Sequence, residues 1–244
     1  MILSLSLLYS YKEMSSTKTA YNFVLDLIFP KICSGCGKFG EIVCADCQNQ
    51  IKIIQTPTCP KCGKITPSGQ FCKSCKDESL LTGLLISADY RRGPVKEMIH
   101  HLKYSGQREL ALPLAKLLVS RLKISKLRGQ IVVVPVPLHI HRQRLRGFNQ
   151  SELLARAVCT KLNLAGANAL KRIKFKKTQV ESKGKERREN LIGAFKCVDG
   201  EIIKNKTIVL VDDVSTTGAT LEECAKVLRL AGARQVWGLV VARG

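Results

Sequence analysis

The stretch from Ile208 to Thr220 (IVLVDDVSTTGAT) constrains the fold of this 244-residue chain more than any other. Four apolar, mostly β-branched residues, Ile208 to Val211, run into two adjacent carboxylates, Asp212 and Asp213. A turn of small residues follows, Ser215-Thr216-Thr217-Gly218-Ala219-Thr220, and a helical pattern begins at Leu221. This is a strand–loop–helix unit with its polar groups at the carboxyl end of the strand, where open α/β sheets bind ligands. Backbone N–H groups of the turn and the amino end of the helix attract an anion. The hydroxyls of Thr216, Thr217 and Thr220 add donors, and Gly218 lets the backbone approach closely. Two carboxylates would repel that anion, so they are read as facing hydroxyl groups or a divalent cation. A sugar phosphate with free vicinal hydroxyls satisfies both halves. The bland alternative is that Asp and Gly at a strand end are common in α/β folds.

Taken as one string, the hydrophobic strand, acidic pair and Thr/Gly-rich turn resemble the phosphoribosyl-pyrophosphate loop of type I phosphoribosyltransferases. The resemblance implies that Asp212 and Asp213 bind the ribose 2′- and 3′-hydroxyls and that the turn binds the 5′-phosphate.

The second constraint is cysteine spacing. Of 11 Cys, eight form four C-x-x-C pairs: Cys33/Cys36, Cys44/Cys47, Cys59/Cys62 and Cys72/Cys75. Two thiolates on a tight turn suit one tetrahedral ion, and two pairs close a structural zinc site. The Gly that follows Cys36 and Cys62 relieves the turn. A segment so poor in apolar residues has no core of its own, so metal supplies its folding energy. Four pairs in tandem argue against a redox C-x-x-C. Sequential pairing (33/36/44/47 and 59/62/72/75) is simplest, and a cross-braced arrangement (33/36/59/62 and 44/47/72/75) stays open. No ligand position is left for catalysis, so two structural zinc ions in a scaffolding or binding ribbon are expected.

Metal spacing in a chain large enough to need no disulfides places it in a reducing compartment, a cytoplasm. Met1 to Tyr9 is apolar but shorter than the ~20 residues of a membrane span. It also lacks a basic flank and a cleavage site, so it makes a poor signal peptide, and Met14 is a plausible start. Lys+Arg number 40 against 19 Asp+Glu, a formal net charge of +21. That charge favours polyanionic partners, or else a solvated basic surface. Aromatic residues make up only 5% of the chain, which argues against an extended base-stacking platform.

Along the chain, Thr19 to Phe29 has helical apolar spacing and stops at Pro30. Such a helix packs on its own domain or a partner, or lies on a membrane. Leu80 to Tyr90 reads as a strand, followed by helices through Lys103 and from about Arg108 to Leu122. Ile131 to Val134 reads as a buried parallel strand ended by Pro135 and Pro137. Arg142, Arg144 and Arg146 follow it, and the Arg fork suits phosphate oxygens. His139 and His141 are read as loop histidines sharing one face. The Gly147–Ser151 turn opens a helix to Leu162. Lys171 to Arg188, nine Lys/Arg against two Glu, reads as a long loop. Asn190 to Val198 reads as a strand, a helix runs from about Thr217 to Leu230, and Gln235 to Ala242 is the final strand. Strands alternating with helices predict a doubly wound parallel sheet.

An amphipathic start ending in Phe-Pro, the double ribbon, Tyr90, Lys103-Tyr104, Val134-Pro-Val-Pro137, Arg146-Gly-Phe-Asn-Gln150, Arg187-x-x-Asn190, Gly193-Ala-Phe195 and the acidic loop occur in this order. On these motifs residues 19–244 resemble the ComF family; Lys176 and Ser182 depart from its usual Thr and Leu. The resemblance implies an α/β fold: a type I phosphoribosyltransferase-like parallel sheet with helices on both faces, preceded by a small Cys-rich double zinc ribbon. The expected division is 1–29 tail and helix, 30–78 ribbon, and 79–244 phosphoribosyltransferase-like domain. The implied ligand is phosphoribosyl pyrophosphate with Mg²⁺, held by Asp212, Asp213, Ser215, Thr216, Thr217, Gly218, Ala219 and Thr220. The pyrophosphate side would be Arg142, Arg144, Arg146, Asn149 and Gln150, with Gln179, Arg187 and Asn190 on the loop. No single catalytic base stands out; Asp212, Asp213 and Lys103 are the candidates. The family implies a bacterial cytoplasmic protein of natural competence and DNA uptake, with a helicase of the ComFA type as a partner. The alternative is an adaptor of that helicase that binds single-stranded DNA or phosphate without turnover.

Overall fold

The computed structural model describes residues 30–125, 127–174 and 191–244. Its centre is a five-stranded, all-parallel sheet in the order β1-β7-β6-β2-β3. The strands are β1 (Gly83–Asp89), β2 (Ile131–Pro135), β3 (Ala165–Gly166), β6 (Thr207–Ser215) and β7 (Gln235–Arg243). A separate antiparallel pair, β4 (Leu170–Arg172) and β5 (Phe195–Cys197), lies outside it.

Apolar alternation along the strands divides the core. Leu85, Val133, Val209, Val211, Trp237 and Leu239 face one side. Three helices cover them: α2 (Val95–Tyr104), α3 (Ala111–Ser125) and α5 (Gln150–Leu162). Leu84, Val132, Val134, Ile208, Leu210 and Val240 face the other side, under α6 (Ala219–Leu230) and the β4–β5 pair. Burial on both faces is why β6 reads as an unbroken apolar run.

The chain leaves β2 toward α5 on one face and leaves β6 toward α6 on the other. Their carboxyl ends therefore diverge, opening a crevice at the switch point between β2 and β6. The short helix α4 (Ile140–Arg146) lies beside it.

The ribbon, which includes α1 (Ala45–Asn49), does not stand apart from the sheet. Its linker pairs with β1: Asp89 N donates to Lys52 O (2.9 Å) and Ile54 N to Ser87 O (3.0 Å). Further along, Leu84 N donates to Gly69 O (2.9 Å) and Phe71 N to Thr82 O (3.3 Å). These contacts occupy the free edge of β1, which would otherwise offer unpaired backbone groups.

Several local expectations change. The acidic pair sits inside β6, which runs on to Ser215, and α6 starts at Ala219 rather than Thr217. Residues 140–146 form a helix, so His139 and His141 do not share a face; His139 caps α4, its Nδ1 accepting from His141 N at 3.2 Å. A helix turns about 100° per residue, which separates positions two apart. Lys171 and Arg172 are strand rather than loop, and the strand read from Asn190 shortens to Phe195–Cys197. The Thr19–Phe29 helix and most of the basic stretch lie outside the described residues.

Gly83 marks the seam between ribbon and sheet. An added Cβ would meet Trp237 Cζ3 at 2.5 Å and Gly69 O at 2.6 Å. Gly83→Ala is therefore expected to lower stability by about 1–3 kcal/mol, the usual cost of overpacking, in urea unfolding of the zinc-loaded protein.

Candidate functional site

β6 delivers its two carboxylates to the crevice in different states. Asp213 points to the α2 side and is 3% exposed. Its Oδ2 pairs with Lys103 Nζ at 2.6 Å, and its Oδ1 accepts from Val214 N at 2.7 Å. Asp212 is half-buried, and its Oδ1 accepts from Ser151 Oγ at 2.8 Å and from Asp213 N at 2.9 Å. Burial, and then the neighbouring Asp213 charge, push the Asp212 carboxyl up to about 7. Ser151 and Lys103 oppose that rise. Lys103 pairs directly with Asp213 only, so Asp212 feels its neighbour's charge without a salt bridge of its own among the described residues.

Past the carboxylates comes the anion-binding geometry. Gly218 caps α6 at φ +80°, and an added Cβ there would meet nothing within 4 Å. Its glycine is thus required by left-handed backbone, not by crowding. First-turn N–H groups of a helix have no partners within it. Ser215 is buried, and its Oγ has no hydrogen-bond partner among the described residues. A buried hydroxyl left so is costly, which makes it a position for a ligand oxygen. Tyr90, Lys103, Asp212 and Ser215 to Thr220 line a cavity of about 260 Å³.

The arginines separate. Arg142 and Arg146 lie one turn apart on α4 and are half-buried, whereas Arg144 faces the other way and is exposed. Arg146 lies 5.5 Å over the Tyr104 ring and donates to Gln150 Oε1. Burial lowers its pKa, while Asp213, Tyr104 and Asp212 favour its charge. Asn149 caps α5: its Oδ1 accepts from Ser151 N (3.1 Å) and its Nδ2 donates to Val136 O (3.1 Å). That cap holds Ser151 against Asp212. Gln179, Arg187 and Asn190 lie outside the described residues.

Two further residues belong here. In sequence Ser151 is only part of a turn, and no spacing rule ties it to a carboxylate 61 positions away. Arg172 lies 5.5 Å from the Phe195 ring centre, its Nε buried and without a hydrogen-bond partner among the described residues. Burial and then the Arg142 charge lower its pKa, and Asp212 favours its charge. Within a long Lys/Arg run nothing distinguished it.

The ribbon cysteines gather into two clusters, Cys33/Cys36/Cys44/Cys47 and Cys59/Cys62/Cys72/Cys75. Pairing is therefore sequential, not cross-braced. All sulfurs of a cluster lie within 4.8 Å of one another, and Cys36–Cys44 and Cys62–Cys72 are each 3.6 Å apart. A tetrahedral ion with Zn–S bonds of ~2.3 Å spaces its sulfurs roughly 3.8 Å apart, so each set fits. Gly37 and Gly63, just past the second cysteine of their knuckles, have φ of +77° and +76°. These are two four-cysteine zinc-binding sites.

Comparison with known proteins agrees with both parts. Residues 24–76 match the double zinc ribbon domain, and residues 109–243 match the phosphoribosyl transferase domain. Competence protein F of Haemophilus influenzae is 36% identical over 210 residues, 82% of this chain and 90% of that protein. The chain belongs to the ComF family. Other ComF relatives include the DNA utilization protein YhgH of Escherichia coli K12, 33% identical over 81% of this chain and 89% of that protein. Competence protein ComFC of Bacillus subtilis is 29% identical over 77% and 78%. Among the described residues of this ComF chain, no helix is long and apolar enough to cross a membrane.

Two outcomes are expected. Cys36→Ser should reduce bound zinc from two ions per chain to one, measured by atomic absorption, because the second cluster stands alone. Asp212 binds its proton more tightly folded than unfolded, so its contribution to stability is lost as pH rises from about 4 to about 7. In Asp212→Asn that loss should vanish, read as the difference between wild-type and variant unfolding free energies across the range.

Proposed function

We propose that the protein binds phosphoribosyl pyrophosphate and acts as a phosphoribosyltransferase in natural competence and DNA uptake. The observation that carries this reading is the acidic pair followed directly by an anion loop with an unpartnered buried Ser215 hydroxyl. One ligand with vicinal hydroxyls and a phosphate answers both. The ribose hydroxyls would donate to Asp212 and Asp213, and the 5′-phosphate would take the turn from Thr216 to Thr220. The pyrophosphate would lie toward Lys103, Arg142 and Arg146, with Arg144 at the rim and Arg172 behind. Bound Mg²⁺ would neutralise part of the pyrophosphate charge. Asn149 and Gln150 act indirectly, by setting Ser151 and Arg146.

In transfer, the bond from C1′ to the pyrophosphate oxygen breaks and a bond from C1′ to the acceptor forms. Positive charge develops at the sugar, and the leaving group carries the electron pair away. Cations fixed beforehand around that group stabilise it without reorganising. A nearby carboxylate pushed up to about 7 can take the proton that the acceptor loses, and Asp212 has that character. Association with competence rests on the relatives' names, competence protein F and DNA utilization protein.

Calorimetric titration of Mg²⁺ and phosphoribosyl pyrophosphate tests the site. The double variant Asp212→Asn, Asp213→Asn should lose measurable binding, a drop of at least about tenfold, or 1.4 kcal/mol. Unchanged affinity would sink the assignment. Pyrophosphate release with a pool of bases and amines reads turnover. Binding without release would instead favour the adaptor reading, in which the same phosphate sites and the +21 charge hold single-stranded DNA for a helicase.

A further inference from the structure

The loop Ser215–Ala219 walls two cavities, not one. The smaller, on the carboxylate side, contains Asp212, Lys103 and Tyr90. The larger, about 730 Å³, is lined by the same loop together with α6 and the second ribbon. Ser215, with its buried unpartnered hydroxyl, lines both. If the loop holds a 5′-phosphate whose ribose occupies the small cavity, the large one adjoins that phosphate, because the same loop residues line both. A terminal phosphate needs no room there. A phosphodiester does.

The walls of the larger cavity indicate what would follow that phosphate. Phe71, Leu81, Leu84 and Leu191 supply apolar surface, and Phe71 is the one aromatic ring among the described lining residues. Its carboxylates are engaged internally. Glu78 pairs with Lys61, Glu222 accepts from Leu80 N (3.0 Å), and Glu223 accepts from Gly193 N (2.7 Å). Arg243, the other cation, donates to Pro60 O at 2.7 Å. Three carboxylates against two cations leave no net positive charge for a second phosphate. An uncharged, partly apolar group with a flat face fits: a nucleoside.

We infer that this ribbon-walled groove is a subsite for the 5′-side nucleoside of a phosphodiester, so that the protein takes the 3′-terminal ribonucleotide of a strand or dinucleotide. The second zinc ribbon thereby forms a wall of the ligand site rather than only bracing the sheet. This rests on the loop holding a 5′-phosphate, as proposed above. Base stacking on an aromatic side chain contributes through the π-face of any base, so the subsite would be tolerant of sequence.

The test is calorimetry on the zinc-loaded full chain with ribose 5-phosphate, adenosine 5′-monophosphate and adenylyl-(3′→5′)-adenosine. The dinucleotide carries less charge at its phosphate than the mononucleotide, so electrostatics alone would make it the weaker ligand. The subsite predicts the reverse, about tenfold tighter binding of the dinucleotide. Phe71→Leu should bring its affinity down to that of the mononucleotide while leaving ribose 5-phosphate unchanged. A dinucleotide no tighter than the mononucleotide, with ribose 5-phosphate still bound, would overturn the subsite and spare the loop assignment. Failure of all three ligands to bind would overturn both. The wild-type comparison decides the matter even if the Phe71 variant does not fold.

Discussion

Everything at this site follows from carrying two adjacent carboxylates on a strand buried on both faces. Alternation sends Asp213 to the α2 side, where its nearly complete burial is compensated by Lys103 at 2.6 Å. Among the described residues Asp212 has no salt-bridge partner; a hydroxyl and a backbone N–H donate to it. A buried charge without a partner is expensive, and the group responds by holding its proton. Hence one carboxylate is held in a salt bridge with Lys103, and its neighbour is pushed up to about 7. The asymmetry depends on Lys103 ending α2 and on Asn149 capping α5 so that Ser151 meets Asp212.

That strand can be so rigidly placed because the sheet's edges are managed. β6 has a neighbour on each side, β7 and β2, and the free edge of β1 is taken by the ribbon linker and by Gly69–Phe71. Zinc fixes the knuckles that flank both pairings. The ribbon's folding energy, supplied by metal, is therefore coupled through backbone hydrogen bonds to the sheet that carries the carboxylates. Cys33, Val43 and Cys47 also join the same apolar cluster as Val95 and Met98 of α2, the helix that ends at Lys103.

Sequence carried the periodic parts of this far. β6, β7 and β2 were legible because burial on both faces requires unbroken β-branched runs. The cysteine clusters were legible because tetrahedral coordination demands their spacing, though not the choice between sequential and crossed pairing, which depends on distances across the ribbon. Helix α4 was obscured because its residues, IHRQRLR, have no apolar face to bury. Arg172 and Ser151 were obscured for another reason. Their significance lies in what they approach across the fold, Asp212, and neither residue's local pattern encodes that approach. β3, two residues long and exposed, carries almost no hydrophobic signal.

The net charge of +21 is a poor guide to the loop's surroundings. Arg142, Arg146 and Arg172 gather on the β2 side of the crevice, against the acidic pair. On the ribbon side, carboxylates outnumber cations and all three are tied to backbone or lysine. A uniformly basic groove would attract any polyanion along its length. This arrangement instead concentrates attraction at one end and offers apolar surface at the other. On the reading proposed above, selectivity would come from which groups flank the sugar phosphate, an anionic group on the arginine side or a flat uncharged body on the ribbon side. A free phosphate would engage neither flank, so on that reading total charge and affinity would not run together.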